Sequence, residues 1–289
     1  GKIIYTQFLN SRGGIEADLT ISRTGEEEFY IVTGSAFGVH DRSWIEKHSP
    51  RDGSVVIDDL TEEFGVINLC GPHARDVLQN VIDDDISNET LPFSSYADIR
   101  VAGHPVRAMR IGYVGELGWE MHMGRENMPA VYKALAEAGS QYDIADVGYR
   151  AIDSLRMEKG YLYWSSDISP DYNPFEAGLG FRVNMKKGDF IGRDALIAIR
   201  ENGGPERKIA YFTLEKYMPV YGSEPIMREG RILDVTTSAN FGYTIGKPLV
   251  FGYLPVQEFE NRNFTVEAFG EIVPATRHDG PLYDPEMKK

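Results

Sequence analysis

Three stretches of the 289-residue chain gather side chains that could do chemistry. In Leu9-Asn10-Ser11-Arg12-Gly13-Gly14-Ile15-Glu16-Ala17-Asp18-Leu19, two carboxylates follow a glycine pair. Side chains on a strand repeat every two residues, so Glu16 and Asp18 share a face. Such a pair either does acid/base or cation-stabilising work or forms a solvated strand face. The second stretch, Gly112 to Glu120, packs three glycines, two aromatics and two carboxylates into nine residues. Glycine lets a ligand approach the backbone, an aromatic stacks on a flat ring, and a carboxylate accepts paired N–H donors from an amino-heterocycle. A β-bulge with exposed aromatics is the plainer alternative. The third, Tyr149 to Trp164, carries Asp153, Arg156 and Glu158 at spacings that pair on a helix surface. Its aromatics Tyr161, Tyr163 and Trp164 suit core packing more readily than a cofactor box.

Other signals are weak. Gly178-Leu179-Gly180 lacks the third glycine of a dinucleotide fingerprint. The six histidines, at 40, 48, 73, 104, 122 and 278, show no metal-ligand spacing. There is no Gly-x-Ser-x-Gly elbow, and Asp83-Asp84-Asp85 reads as a solvated loop. A net charge of −14 argues against nucleic acid or an anionic membrane as partner. No window holds the 18 apolar residues of a membrane helix. A single cysteine, Cys70, excludes internal disulfides and fits a reducing compartment: the cytoplasm, or the mitochondrial matrix in a eukaryote. It ends an apolar run, where a buried structural thiol is expected. The opening Gly1-Lys2-Ile3-Ile4-Tyr5 has no leader character and reads as a strand entered without preamble, as in a piece of a longer chain.

The elements that must position these residues can be traced by pattern. Strands are expected at Ile3–Leu9, Ile15–Ser22 and Phe29–Val32, with Gly13-Gly14 as the first hairpin turn. A helix over 35–48 follows, then strands at Val55–Asp58 and Gly65–Leu69. Another helix should open at Gly71-Pro72, with Ala74, Val77, Leu78 and Val81 inward. Residues 95–123 read as a hairpin turning at Gly103-His104 and its continuation. Helices are expected over 127–138, over 146–159 and over 189–201. The middle one should have Asp146 as N-cap, a stripe of Val147, Ala151, Ile152 and Leu155, and Gly160 as C-cap. Gly203-Gly204-Pro205 reads as a linker between a region over 1–204 and a small β-barrel over 205–289. The barrel strands are placed at Lys208–Leu214, Pro225–Met227, Leu249–Leu254, Phe264–Ala268 and Glu271–Pro274.

In this order, the chemical stretches resemble the aminomethyltransferase family typified by the glycine cleavage T-protein. The likeness is nearest to the folate-binding C-terminal region of sarcosine dehydrogenase and dimethylglycine-oxidising proteins. It rests on Tyr5-Thr6, Leu9-Asn10, Gly13-Gly14, Glu16 and Asp18-Leu19-Thr20, on Tyr113 to Glu120, and on Gly148 to Leu155 with Glu158 to Tyr161. Asn173-Pro174-x-Glu176-Ala177-Gly178-Leu179 and Phe190 to Leu196 add to it. The resemblance implies an α+β fold, a three-lobed ring of two mixed α/β lobes and a C-terminal β-barrel, with the first lobe truncated. It implies tetrahydrofolate as cofactor, Asp18 as the catalytic carboxylate, and Tyr5, Tyr113, Glu120 and Tyr161 around the pterin and its linker. The implied reaction forms 5,10-methylenetetrahydrofolate from an iminium or formaldehyde equivalent of an N-methylated amine. FAD would belong to a preceding flavoprotein domain or partner. Direct methyl transfer giving 5-methyltetrahydrofolate, or a non-catalytic regulatory role, are the competing readings. Ile152 stands where the T-protein pattern has arginine, as in the sarcosine dehydrogenase-like proteins, which leaves open any ligand contact of that arginine.

Overall fold

A computed structural model describes residues 1–284. The elements run β1 (Ile3–Leu9), β2 (Ile15–Arg23), β3 (Phe29–Thr33), α1 (Gly38–His48), β4 (Phe64–Cys70), α2 (Ala74–Gln79), β5 (Tyr96–Val101), β6 (His104–Met109), β7 (Gly118–Gly124), α3 (Met128–Gly139), α4 (Tyr149–Glu158), α5 (Arg193–Glu201), β8 (Arg207–Leu214), β9 (Pro225–Arg228), β10 (Arg231–Gly242), β11 (Lys247–Pro255), β12 (Asn263–Ala268) and β13 (Glu271–His278). The chain divides into two compact units, Gly1–Tyr5 with Leu19–Val147, and Thr6–Asp18 with Gly148 onward. Strands β1, β2 and β3 pair in that order, and β1 and β2 each supply residues to both units.

In the first unit, a four-stranded sheet of order β4-β7-β6-β5 carries α2 and α3 on one face. Alternation explains the layering: Trp119, Met121 and Met123 of β7 pack with Val77, Leu78, Val131 and Leu135 of the helices. Glu120 and His122 therefore lie on the opposite face. Alternation also corrects Cys70, which is exposed because Leu69 before it points into the core. The strand expected at Val55–Asp58 does not form; Val56 is 80% exposed. Three β-branched residues, Val55, Val56 and Ile57, do not make a strand without a surface to pack on. Helix α2 begins at Ala74 rather than at Pro72, which lies in the turn before it, and it ends before Val81.

The second unit contains two cores. One fills a closed barrel of order β10-β11-β8-β13-β12-β9, lined by Phe212, Ile226, Val250, Leu254, Phe264 and Val266 among others. The other gathers Leu9, Ile15, Met157, Leu162, Ile168, Leu196 and Phe251. The longest barrel strand, β10, was not legible as one: Arg231 to Gly242 is polar and irregular, and its register slips between Thr236 and Ser238. Gly203 and Gly204 close the end of α5, both with positive φ, and donate to the carbonyls of Arg200 and Ile199.

Helix α4 departs most from expectation. It starts at Tyr149 with Gly148 as its N-cap, whereas Asp146 accepts a bond from the Tyr132 hydroxyl at 2.9 Å. Val147 is 59% exposed, and the buried side carries Ser154, Arg156, Met157 and Glu158. The helix packs on β10, and that strand's polar side chains answer the polar side of the helix. Gly160 follows α4 with φ +74, as expected of a residue that ends a helix.

Candidate functional site

The turn between β1 and β2 is locked by one buried side chain. Oδ1 of Asn10 accepts the N–H groups of Arg12 at 2.9 Å and Gly14 at 3.0 Å, while its Nδ2 donates to Oε1 of Glu16 at 3.0 Å. Gly13 sits at φ +85, where L side chains are strained. The Ile15 N–H donates to the Tyr172 carbonyl, and the Ile15 carbonyl accepts from Nε1 of Trp164. Strand β2 thus leaves a fixed turn. Ile15, Ala17 and Leu19 are buried, and Glu16, Asp18 and Thr20 are half-buried on the other face. The two carboxylates share a face as the spacing predicts, and that face is not openly solvated. Their roles separate, since Glu16 braces the turn through Asn10.

A methyl group on Gly14 would fall 2.0 Å from the Pro170 carbonyl oxygen and 2.9 Å from Nδ2 of Asn10. Gly14→Ala should therefore cost about 3 kcal/mol, the upper part of the range for overpacking. Urea denaturation measures this, and a loss below about 0.5 kcal/mol, typical of a surface change, would mean that the turn yields freely.

Tyr161 comes just after α4 and is half-buried. Its N–H donates to the Arg156 carbonyl, and its own carbonyl accepts from Nη1 of Arg156 at 2.9 Å. Burial pushes its phenol above the ordinary range; Asp284 adds to the shift and Arg182 opposes it. Arg156 was expected on a helix surface but is buried. It donates to Asp153 and Asp167, both at 2.8 Å, and to Ser238 at 2.9 Å. Glu158, 1% exposed, accepts the N–H groups of Thr244 and Ile245. These α4 charges hold the helix to its neighbours. Ile152 is half-buried, and Arg150 nearby is exposed.

In the first unit, Tyr5 is half-buried on β1 and Tyr113 half-buried in the bend of 113–117 that leads into β7. Gly118 has no room for a side chain, because a Cβ would fall 2.3 Å from the Leu69 carbonyl oxygen. That close pairing sets the register, in which Glu120 lies between Asn68 of β4 and Met109 of β6. Glu120 is partly exposed, with 23% of its side chain accessible. Trp119, the other aromatic of this stretch, is a core residue at 1% exposure, so it offers no stacking face to a ligand.

Beside Glu120 lies a polar group that no sequence motif marks. Nδ1 of His122 is 3.0 Å from the Tyr30 hydroxyl, and Nε2 is 3.6 Å from Oε2 of Glu120. The guanidinium of Arg107, held by both oxygens of Asp98 at 2.8 and 3.0 Å, lies over the rings of Tyr30 and Tyr96. Burial raises the Tyr30 phenol pKa, Arg107 lowers it and Glu120 raises it further. Tyr30, Asp98, Arg107 and His122 line an open cleft of about 1110 Å³. The signal that could have found His122 is its place two residues after Glu120 on a strand.

Of the residues singled out by sequence, Tyr5, Tyr113 and Glu120 thus belong to the first unit, and Asp18 and Tyr161 to the second. Among the described residues, no group of three or more His, Cys, Asp or Glu could hold a metal ion. No helix among them is long and apolar enough to cross a membrane.

Comparison with known proteins gives this arrangement a context. The chain is 38% identical over 312 residues to mouse mitochondrial sarcosine dehydrogenase, covering 100% of this chain and 34% of that protein. It is 38% identical over 280 residues to mouse mitochondrial dimethylglycine dehydrogenase, covering 96% and 32%. The chain therefore spans about a third of the length of these curated relatives. The crystal structure of the glycine cleavage system aminomethyltransferase T from Bartonella henselae superposes with a TM-score of 0.84 at 25% identity, over 99% of this chain and 77% of that one. This agrees with the expected mixed α/β fold and C-terminal barrel. The family domain described as GCVT N-terminal domain matches residues 1–187, and the glycine cleavage T-protein C-terminal barrel domain matches residues 207–284. The chain belongs to the glycine cleavage T-protein, or aminomethyltransferase, family.

Proposed function

We propose that this aminomethyltransferase-type domain carries out tetrahydrofolate-dependent one-carbon transfer, yielding 5,10-methylenetetrahydrofolate from the demethylation of an N-methylated amine of the sarcosine or dimethylglycine type. The observation that carries the reading is Asp18: a half-buried carboxylate on a strand that leaves a locked turn, in a chain of this family. Bound tetrahydrofolate would supply a nucleophilic nitrogen for an iminium or formaldehyde equivalent. Asp18 would hold and relay the proton displaced from that nitrogen and stabilise positive charge beside it. Glu120 would accept the paired N–H donors of the pterin's amino-pyrimidine edge. Tyr5, Tyr113 and Tyr161 would enclose the pterin and its linker.

The residues present suit such a ligand. Glu120 is a partly exposed carboxylate at the end of a glycine-containing bend, and its neighbour His122 has a buried ring nitrogen with no hydrogen-bond partner. The carbon would be delivered by a flavin-containing dehydrogenase or oxidase, a role for which the names of the two dehydrogenase relatives speak. Their mitochondrial designation supports the matrix as the place of action in a eukaryote.

Titration with tetrahydrofolate under anaerobic conditions should show saturable binding. Glu120→Ala should weaken it about 10- to 100-fold, the worth of a charge-assisted bidentate contact. Unchanged affinity would remove Glu120 from the site. With an amine oxidase supplying the carbon, product analysis separates methylene- from 5-methyltetrahydrofolate, and the absence of both points to a regulatory role.

A further inference from the structure

His122 lies on β7 two residues from Glu120, and the two side chains share the face opposite the one that packs on α2 and α3. Its imidazole is 3% exposed, and its Nε2 is buried with no partner within hydrogen-bond distance. A buried ring nitrogen left unpaired is costly, so the position calls for an explanation. Oε2 of Glu120 lies 3.6 Å away, beyond a hydrogen bond but within reach of a small side-chain rotation. On its other side, the ring is held by the Tyr30 hydroxyl at 3.0 Å from Nδ1, with the two rings edge to face at 84°. Tyr30 is in turn covered by the Arg107 guanidinium, which is anchored on Asp98.

These contacts fix the tautomer. A lone pair on Nε2 would face the Glu120 carboxylate and repel it, whereas an N–H there would be attracted. The proton therefore belongs on Nε2, and Nδ1 accepts from the Tyr30 hydroxyl. We propose that His122 is a positioning residue for Glu120: its Nε2–H, oriented by Tyr30, closes onto Oε2 when a ligand engages the carboxylate and turns the carboxylate plane toward that ligand's paired N–H donors. The inference rests on the assignment of Glu120 to the pterin. It adds a chain running Arg107, Tyr30, His122, Glu120 that would set the geometry of the contact.

A double-mutant cycle on tetrahydrofolate affinity tests it. Glu120→Gln should weaken binding about thirtyfold, by loss of the anionic acceptor. His122→Phe should weaken it about tenfold in the wild-type background and by less than about twofold when Glu120→Gln is already present. His122→Gln keeps an N–H donor near the Nε2 position and should stay within about threefold of wild type. If Glu120→Gln binds normally, the assignment of Glu120 itself fails. If Glu120→Gln weakens binding but His122→Phe does not, or does so equally in both backgrounds, His122 is only a packing residue and the proposal is overturned. A third readout needs no variant. The nitrogen-15 signals of His122 in the wild-type protein should report a proton on Nε2, and an Nε2 that carries no proton would overturn the proposal.

Discussion

Asp18→Asn should lower turnover about 10²- to 10⁴-fold, the usual contribution of a positioned acid/base group, while tetrahydrofolate affinity changes by less than about threefold. Asparagine has nearly the shape of aspartate and keeps an acceptor oxygen, so binding that depends on shape survives. It has no negative charge and takes up no proton, so charge stabilisation and proton relay are lost together. The strand should not rearrange to compensate, because Asn10, Gly14, Ile15 and Trp164 hold the turn from which β2 leaves. Glu16→Gln is the informative control, being a carboxylate on the same face. Its oxygen accepts from Nδ2 of Asn10 at 3.0 Å, and glutamine keeps that acceptor while losing the charge, so the change should appear mainly as a modest loss of stability, with turnover within about tenfold. The measurement is single-turnover formation of the folate product with an amine oxidase supplying the carbon. Wild-type turnover by the Asp18 variant, or an equal loss from both variants, would remove Asp18 from its assigned role.

The parts of the fold that the sequence revealed are those where periodicity and turn chemistry act alone. The Gly13-Gly14 hairpin, β1 to β3, the β5–β6 hairpin and five of the barrel strands follow from alternation and glycine placement. The Glu16/Asp18 face was legible for the same reason. What could not be read are places where polar groups are satisfied by residues far away in sequence. Strand β10 looks like a loop because Thr236, Thr237 and Ser238 bond to Glu224, Asp167 and Arg156 rather than alternating with apolar neighbours. Helix α4 misled for the complementary reason: its apolar stripe suggested one buried side, but Arg156 and Glu158 are buried against partners on β10 and on the turn after it. Likewise His122 carries no motif, and only the proximity of Tyr30, 92 positions away, shows what holds it.

That polar junction should also give the largest stability change in the chain. Arg156→Ala should destabilise the protein by about 3–5 kcal/mol, the range found when one partner of a buried ion pair is removed. Asp167 is fully buried and accepts from Arg156 at 2.8 Å, from the Thr237 hydroxyl at 2.5 Å and from the Tyr163 N–H at 2.9 Å. Two neutral donors would remain after the substitution, too few to hold an isolated anion away from water. The same change strips donors from Ser238 and from the Tyr161 carbonyl, and it removes a guanidinium that packs over Tyr163 and Phe251. Arg156→Met with Asp167→Leu should recover much of the loss, since the expense lies in the stranded charge more than in the missing pair. Urea denaturation of the three proteins decides the matter. A cost below about 1 kcal/mol for Arg156→Ala, the range of surface ion pairs, would show that water reaches Asp167 and that the junction between α4 and β10 does not depend on this arginine.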